Sequence, residues 1–550
     1  MLLHISEPYL WLPVEKENPE VKLHLYLHQN NCPNREKIQE IDIHLGGKDK
    51  DFYTSMDVSR YLGQEIEICG EVEEDMLYGI FCYREKVQNV YPFRPKLHFS
   101  PEIGWNNDPN GMVFADGVYH LYYQWNPYGV VWGNMHWGHA VSRDLLTWEH
   151  RPMAMEPDEY GTAFSGCGWQ DCENITGHGK NALLFYYTAA GGGNLWSAEK
   201  HRRFTQRLKV STDGGETLHP SDKFFLDHVA GENRDPKIFY HRESKAYIML
   251  LYLDGSEFAI YRSGDLLSWE ETSRLSVKGM WECPDLFELP VETIGDADSE
   301  TLESLESPVN AAGDTAFNKK EKKWVFWSAD GYYVVGSFDG WRFTPETPMQ
   351  TAYSTKLPYA AQSFAGVDDR TISIAWLRMD NCRGNYRGLM SIPAELSLVF
   401  KDGQYHLKFR PVHELQTVLG PINQLEKGKN HTRLPLNGTP LDVHISWKAQ
   451  NKGTTKLSLG NYEIIVDFVR ETIRFNDLEK HADTALIAFS HKENLDLQLI
   501  IDQEVLEFFG NHGIIYGAVE MEENILRSTL TVESNAEIAS MEWREIKVQA

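Results

Sequence analysis

The chain has 550 residues, 53 basic against 80 acidic side chains, and a formal net charge of −27. That length holds two or three domains, each able to bury a core, and 42% hydrophobic with 24% charged residues exclude a disordered or fibrous chain. So acidic a chain repels polyanions, and nucleic acid is excluded as an expected partner.

No window approaches the roughly 18 apolar residues of a bilayer span, so no membrane association is expected. Residues 1–8 carry neither the basic start nor the apolar run of a signal peptide, and the expected location is cytoplasmic. The seven cysteines, Cys32, Cys69, Cys82, Cys167, Cys172, Cys283 and Cys382, are scattered and lack paired spacing. They read as reduced thiols, not as disulfides or a zinc site.

Apolar and polar residues alternate from Val21 to Leu27, Ile41 to Leu45 and Glu65 to Ile68, the pattern of half-buried strands. Asp57 to Leu62 reads as one short helical turn under an acidic cap. The Pro-rich crossing Tyr91-Pro92-Phe93-Arg94-Pro95 ends this first region, because proline cannot sit in a central strand. Residues 1–90 are therefore expected to be a β-rich accessory module.

The middle of the chain repeats itself. Ser142-Arg143-Asp144-Leu145-Leu146-Thr147-Trp148-Glu149 is nearly copied from Ser263 to Glu270, with looser versions at Ser211-Thr212-Asp213-Gly214 and Ser337-Phe338-Asp339-Gly340. Each opens a tight turn before a strand, at separations of about 50 to 75 residues that suit one four-stranded unit per repeat. Residues 359–396 leave room for a fifth unit. The expected fold class is all-β: a five-bladed β-propeller over residues 91–395, a C-terminal β-sandwich over 396–550, and the N-terminal module. The acidic stretch from Asp296 to Lys323 reads as a solvated loop between blades.

Propellers bind ligands where the first strands converge, so carboxylates near strand starts are the ones to weigh. Asp108 lies in Trp105-Asn106-Asn107-Asp108-Pro109-Asn110-Gly111, before Met112-Val113-Phe114; Asp235 lies in Arg234-Asp235-Pro236, and Glu282 in Trp281-Glu282-Cys283-Pro284. Taken singly, these read as a turn residue, half of an ion pair and a surface acid. Taken together they offer what glycosidic hydrolysis with retention requires: an ionised nucleophile, a protonated acid about 5 to 5.5 Å away, and a third group to hold hydroxyls. Such a division expects Asp108 to be kept ionised by nearby donors and Glu282 to be raised by desolvation beside Trp281 and Cys283.

The same residues resemble glycoside hydrolase family 32, the β-fructofuranosidases that include invertases, levanases and inulinases. The stretch from Arg94 to Pro101, leading into Trp105-Asn106-Asn107-Asp108-Pro109-Asn110-Gly111, is similar to the family's opening motif, Arg234-Asp235-Pro236 to its second and Glu282-Cys283-Pro284 to its third. Tyr123-Gln124-Trp125-Asn126-Pro127, Trp137-Gly138-His139 and Phe164-Ser165-Gly166 match as well. The resemblance implies Asp108 as nucleophile, Asp235 as transition-state stabiliser and Glu282 as acid/base. It also implies a fructose subsite lined by Asn107, Gln124, Trp132, Phe164, Ser165, Arg234 and Trp376, with neither metal nor organic cofactor. It reaches the sandwich, where Asp502 to Phe509 resembles that domain's late strand. Asn106 and Cys167 depart from the pattern at positions where many members carry Met and Ser.

The implied activity is release of terminal β-D-fructofuranosyl units from sucrose, fructo-oligosaccharides or fructans, with Gly133 to His139 closer to levanase and inulinase members. A fructosyltransferase on the same fold and a non-catalytic glycan-binding propeller are the alternatives. A sialidase is disfavoured, since the Asp-box-like turn at Ser211 marks geometry and no Arg triad accompanies it. The extra N-terminal module reads first as a packing module that stabilises the propeller, with a shaped pocket rim, glycan binding or a homodimer as the alternatives.

Overall fold

The computed structural model describes residues 1–28, 36–47, 50–89, 91–293, 321–480 and 482–548. Strand dominates throughout, and among the described residues no helix is long and apolar enough to cross a membrane.

The N-terminal residues form two sheets. One has the order Leu2–His4, Glu65–Gly70, Val21–Leu27, Glu36–Ile43; the other has Phe52–Asp57, Tyr9–Val14, Phe81–Tyr83. Their alternating residues, among them Leu10, Leu12, Leu23, Leu25, Ile41, Ile66 and Ile68, meet in one core, each contributing about 1.5–3 kcal/mol by leaving water. The helical turn expected near Asp57 is a 3-10 turn, Ser59–Tyr61, with Asp57 Oδ1 accepting the Ser59 N–H at 2.8 Å.

Four antiparallel sheets follow in chain order. Sheet I runs through Gly104–Ala115, Val118–Asn126, His136–Ser142 and Glu149–Met155; sheet II through Thr162–Asp171, Ala182–Ala190, Thr205–Ser211 and His219–Leu226. Sheet III runs through Arg234–His241, Ala246–Asp254, Glu257–Ser263 and Glu270–Ser276; sheet IV through Asp285–Thr293, Lys322–Trp327, Tyr332–Phe338 and Phe343–Pro345. Each copy of the repeat sits in the turn from third to fourth strand. Asp144 Oδ1 accepts the N–H groups of Leu146 and Thr147 at 2.9 and 2.7 Å, and Asp265 Oδ1 those of Leu267 and Ser268 at the same distances. Asp339 does the same for Trp341 and Arg342. The repeat is thus a capped turn, written in sequence because its hydrogen bonds are local.

Sheet V, with Pro358–Ser363, Thr371–Leu377, Ala394–Lys401 and Gln404–Pro411, lacks that turn. Its third strand also pairs in parallel with the end of the first strand of sheet IV, Val291 opposite Leu398. The first strands of sheets I to V make a closed circuit of contacts. The first strands of sheets I and II pack along each other, Lys237 Nζ lies 3.1 Å from Asp285 Oδ2, and Ser363 N–H and Oγ donate to that same oxygen at 2.9 and 2.8 Å. Sheet II packs along the first strand of sheet III, and Phe114 N–H donates to Ala365 O at 2.8 Å, returning to sheet I.

Most of the acidic stretch beginning at Asp296 lies outside the described residues. Its end is not loop: Lys322 and Lys323 open a strand, with Lys322 Nζ on Glu288 and Lys323 Nζ on Glu346.

The remaining chain builds two six-stranded sheets around a core that includes Trp447, Phe475 and Phe508. The stretch from Asp502 to Phe509, expected as a late strand, holds a turn and most of the strand Val505–Gly510, the second arm of a hairpin. Leu495–Asp502 and Val505–Gly510 meet at Gln503 and Glu504, the latter at φ +70°. From this hairpin Asp502 and Glu507 reach back to the residues before sheet I and grip His98. Its Nδ1 lies 3.0 Å from Asp502 Oδ2 and its Nε2 2.8 Å from Glu507 Oε1, with all three side chains fully buried. Asp502 also accepts the N–H groups of Lys96, Leu97 and His98, and Tyr516 donates to Glu507.

Candidate active site

The first strands of sheets I and III and the approach to that of sheet IV each deliver one carboxylate. Asp108 does not precede its strand, as its sequence context implied, but lies inside Gly104–Ala115, where the pairing register breaks between Asn106 and Pro109. That irregularity turns the carboxylate out of the pleat. Asp235 is the second residue of its strand, at φ +65°, and Glu282 and Cys283 precede theirs at φ +32° and +46°. Three non-glycine residues in this region mark a backbone held by its surroundings.

The three carboxylates converge. Ser165 Oγ donates to Asp108 Oδ2 at 2.7 Å and Asn107 Nδ2 to Asp108 Oδ1 at 3.2 Å. The Cys283 thiol lies 3.5 Å from Asp108 Oδ2 and 3.6 Å from Asp235 Oδ2, and the Cys283 N–H donates to Asp235 at 3.0 Å. Arg234 binds Glu282 Oε2 through Nε and Nη2, at 3.1 and 2.8 Å, and stands 3.9 Å from Asp235. Tyr359 donates to the other Glu282 oxygen.

Electrostatics follow from this crowding. Burial, then the charge of Glu282, raises Asp108 to about 6 against the opposing hydrogen bonds of Ser165, Asn107 and Cys283. Asp235 is also pushed up by burial, with Arg234 pulling the other way. Burial, then Asp108 and Asp235, pushes the Cys283 thiol far up, so it stays protonated and donates its one proton to one carboxylate at a time. Asp108, expected to be kept ionised by backbone N–H and Asn donors, is instead raised, because burial and Glu282 outweigh those bonds. The apolar surroundings expected for Glu282 are replaced by Arg234 and Tyr359.

Residues 98–411 match the family model described as the glycosyl hydrolases family 32 N-terminal domain. The chain belongs to glycosyl hydrolase family 32. A levanase of Bacillus subtilis is 36% identical over 478 residues, covering 76% of this chain and 65% of the levanase, so the chain spans just under two thirds of that relative. Among solved structures, the Aspergillus awamori exo-inulinase superposes with a TM-score of 0.69 at 22% identity, covering 84% of this chain and 100% of that one. A Schwanniomyces occidentalis fructofuranosidase, solved with fructosylnystose, gives 0.70 at 22% identity over 84% and 99%.

The other sequence-derived residues of this family 32 member lie in the same region. Asn107 is buried and accepts the Trp105 indole N–H at 3.1 Å. Gln124 is buried too, its amide donating to Ala163 O at 2.9 Å while its oxygen has no partner among the described residues. Trp132 is 58% exposed and meets Phe164 edge-on at 6.1 Å. Trp376 packs edge-on against Trp105 and Tyr359, at 5.5 and 6.0 Å. The two departures face elsewhere. The Asn106 amide is buried on Gly388 O, and Cys167 sits in the core between sheets II and III.

Several participants carried no sequence signal. Tyr359 holds Glu282, Thr188 Oγ1 accepts the Asp235 N–H at 3.0 Å, and Tyr252 lies under the Arg234 guanidinium at 4.7 Å. Trp281 is anchored by Asp330, its indole N–H donating at 2.7 Å.

Proposed function

We propose that the chain is a retaining β-fructofuranosidase. Asp108 attacks the anomeric carbon of a terminal fructosyl unit as Glu282 protonates the departing glycosidic oxygen; the C–O bond breaks and a fructosyl ester of Asp108 forms. Glu282, now ionised, takes a proton from water, whose oxygen displaces Asp108 and frees fructose. Asp235 and Arg234 hold hydroxyls of the sugar, and charge building on the ring is met by the flanking carboxylates. The observation that carries this reading is the convergence of Asp108, Asp235 and Glu282 around Cys283 and Arg234. The names of the levanase and exo-inulinase relatives support fructose-containing saccharides as substrates.

The circuit of first strands supports reading sheets I to V as a five-bladed propeller, preceded by a module over residues 1–90. Since Ala394–Lys401 and Gln404–Pro411 pair with sheet V, we draw the sandwich boundary after Pro411 and not at 396. Cys82, Cys167, Cys172, Cys283 and Cys382 are free thiols, which supports a reducing, cytoplasmic location.

A time course with sucrose, short fructo-oligosaccharides, levan and inulin, with products separated by size, tests the activity. Fructose is expected as the earliest product. Longer fructans as the main product would replace hydrolysis with transfer, and binding without turnover would leave a glycan-binding protein. The pH dependence is a second expected outcome. Because the nucleophile must be ionised and Asp108 titrates near 6, kcat/KM should fall about tenfold per unit as pH drops below about 6.

A further inference from the structure

Besides pairing Arg60 with Glu156 and binding Glu102 through Lys86 and Asn89, the N-terminal module engages two segments of the rest of the chain that flank the same side chain. The first segment runs from Pro127 to Asn134. Pro127 O accepts from Thr54, and Tyr128 is buried within the module's own core. Asn134, at φ +46°, closes the segment: its Oδ1 accepts the Asp42 N–H and its Nδ2 donates to Asp42 O, both at 2.7 Å. Trp132 lies between these anchors, its ring edge-on to Phe164. The second segment is the short helix Leu195–Glu199. Glu40 Oε1 accepts the Leu195 N–H at 2.7 Å, and Lys37 lies over the Trp196 ring at 5.7 Å. The chain leaving this helix brings Phe204 against Phe164 as well, edge-on at 5.7 Å. Phe164 precedes Ser165, the donor to Asp108.

Glu40 is built for this contact. It lies on the strand Glu36–Ile43, its side chain is almost fully buried, and Lys22 and Lys37 pair with it. A buried carboxylate that accepts a main-chain N–H from another module fixes that main chain far more firmly than a surface pair does.

We infer that the N-terminal module is a positioning element for the substrate pocket: its strand Glu36–Ile43 holds the two rim segments so that Trp132 and Phe204 both pack edge-on against Phe164 beside Asp108. The inference rests on the proposed reading of that site as the fructosyl-binding pocket. A looser rim leaves the carboxylates in place but misplaces the face against which the saccharide is laid, so binding is affected before chemistry.

The test is a set of full-length variants assayed on sucrose and short fructo-oligosaccharides. Asn134→Gly tolerates the left-handed backbone and removes both bonds to Asp42; Glu40→Ala removes the acceptor of Leu195, and Glu40→Gln keeps one. Asn134→Gly and Glu40→Ala are expected to raise KM about tenfold with kcat within about threefold of wild type, while Glu40→Gln stays near wild type. In a Trp132→Ala background, Asn134→Gly should add nothing further, because its effect acts through that ring. Additive effects in this cycle, or an unchanged KM, would overturn the inference. Amide hydrogen exchange gives a readout independent of turnover: residues 127–135 should lose protection in Asn134→Gly, and 195–199 in Glu40→Ala. If the wild type releases no fructose, the proposed activity fails, yet exchange still decides whether the module holds the rim; unchanged exchange would sink it. Should Asn134→Gly not fold, the contrast of Glu40→Ala with Glu40→Gln carries the decision.

Discussion

Asp108→Asn is expected to lower fructose release at least about a thousandfold, the scale on which enzymes lose turnover when one member of an interdependent catalytic set is removed. The same variant should be more stable than the wild type at neutral pH. The Asp108 carboxyl ionises near 6 when folded against 3.8 as an ordinary aspartate, so above pH 6 its charge costs the folded chain of the order of 2–3 kcal/mol. That cost shrinks as pH falls through 6 and is gone below 3.8, where both states are protonated. Asparagine preserves the size of the group and removes the charge, so the thermal midpoint should rise at pH 7 and the difference should close by about pH 3. Unchanged activity would dismiss Asp108 as the nucleophile. Lost activity with lowered stability at pH 7 would show that the side chain holds the strand and does not strain it.

His98→Ala carries the second large effect, this time on folding. It leaves Asp502 and Glu507 buried without the cation between them, a change worth about 3–5 kcal/mol. In the wild type burial opposes the charged imidazole, but the bonds to Asp502 and Glu507 prevail and raise His98 to about 9 from an ordinary 6.5. A raised pKa stabilises the folded state fully below about 6.5 and loses that contribution as pH climbs through 9. Denaturant unfolding of the wild type should therefore weaken by the order of 3 kcal/mol between pH 6.5 and 9.5, and His98→Gln should flatten that slope. A slope surviving in His98→Gln would move the titration to another group.

How much of this was legible follows from the reach of each interaction. The repeat turns were readable because Asp144 and Asp265 bind N–H groups two and three residues away. The three carboxylates were readable because each sits in a short motif of its own. Tyr359 was not, since its partner Glu282 is 77 residues distant, and the meeting of the Cys283 thiol with Asp108 spans 175 residues. Neighbouring residues report the donors around Asp108 but not its burial or the charge of Glu282, which come from distant parts of the chain, so the upward shift of Asp108 carries no local sign. The strands of the N-terminal module were plain from alternation. Its engagement with residues 127–134 and Leu195 was invisible, because Asn134 and Glu40 bind main-chain atoms that carry no sequence signature.

The grip on His98 also has a history in time. Its nearest acceptor, Asp502, lies 404 residues further along the chain. At synthesis rates of about 5–20 residues per second, His98 waits roughly 20–80 s after leaving the ribosome before that carboxylate exists. During that interval the segment ahead of sheet I has no buried counter-charge to enter with, so a nascent chain halted before the hairpin of Leu495–Asp502 and Val505–Gly510 should keep it accessible to protease. The seam between the matched family region and the sandwich would then be the last part of the molecule to shut.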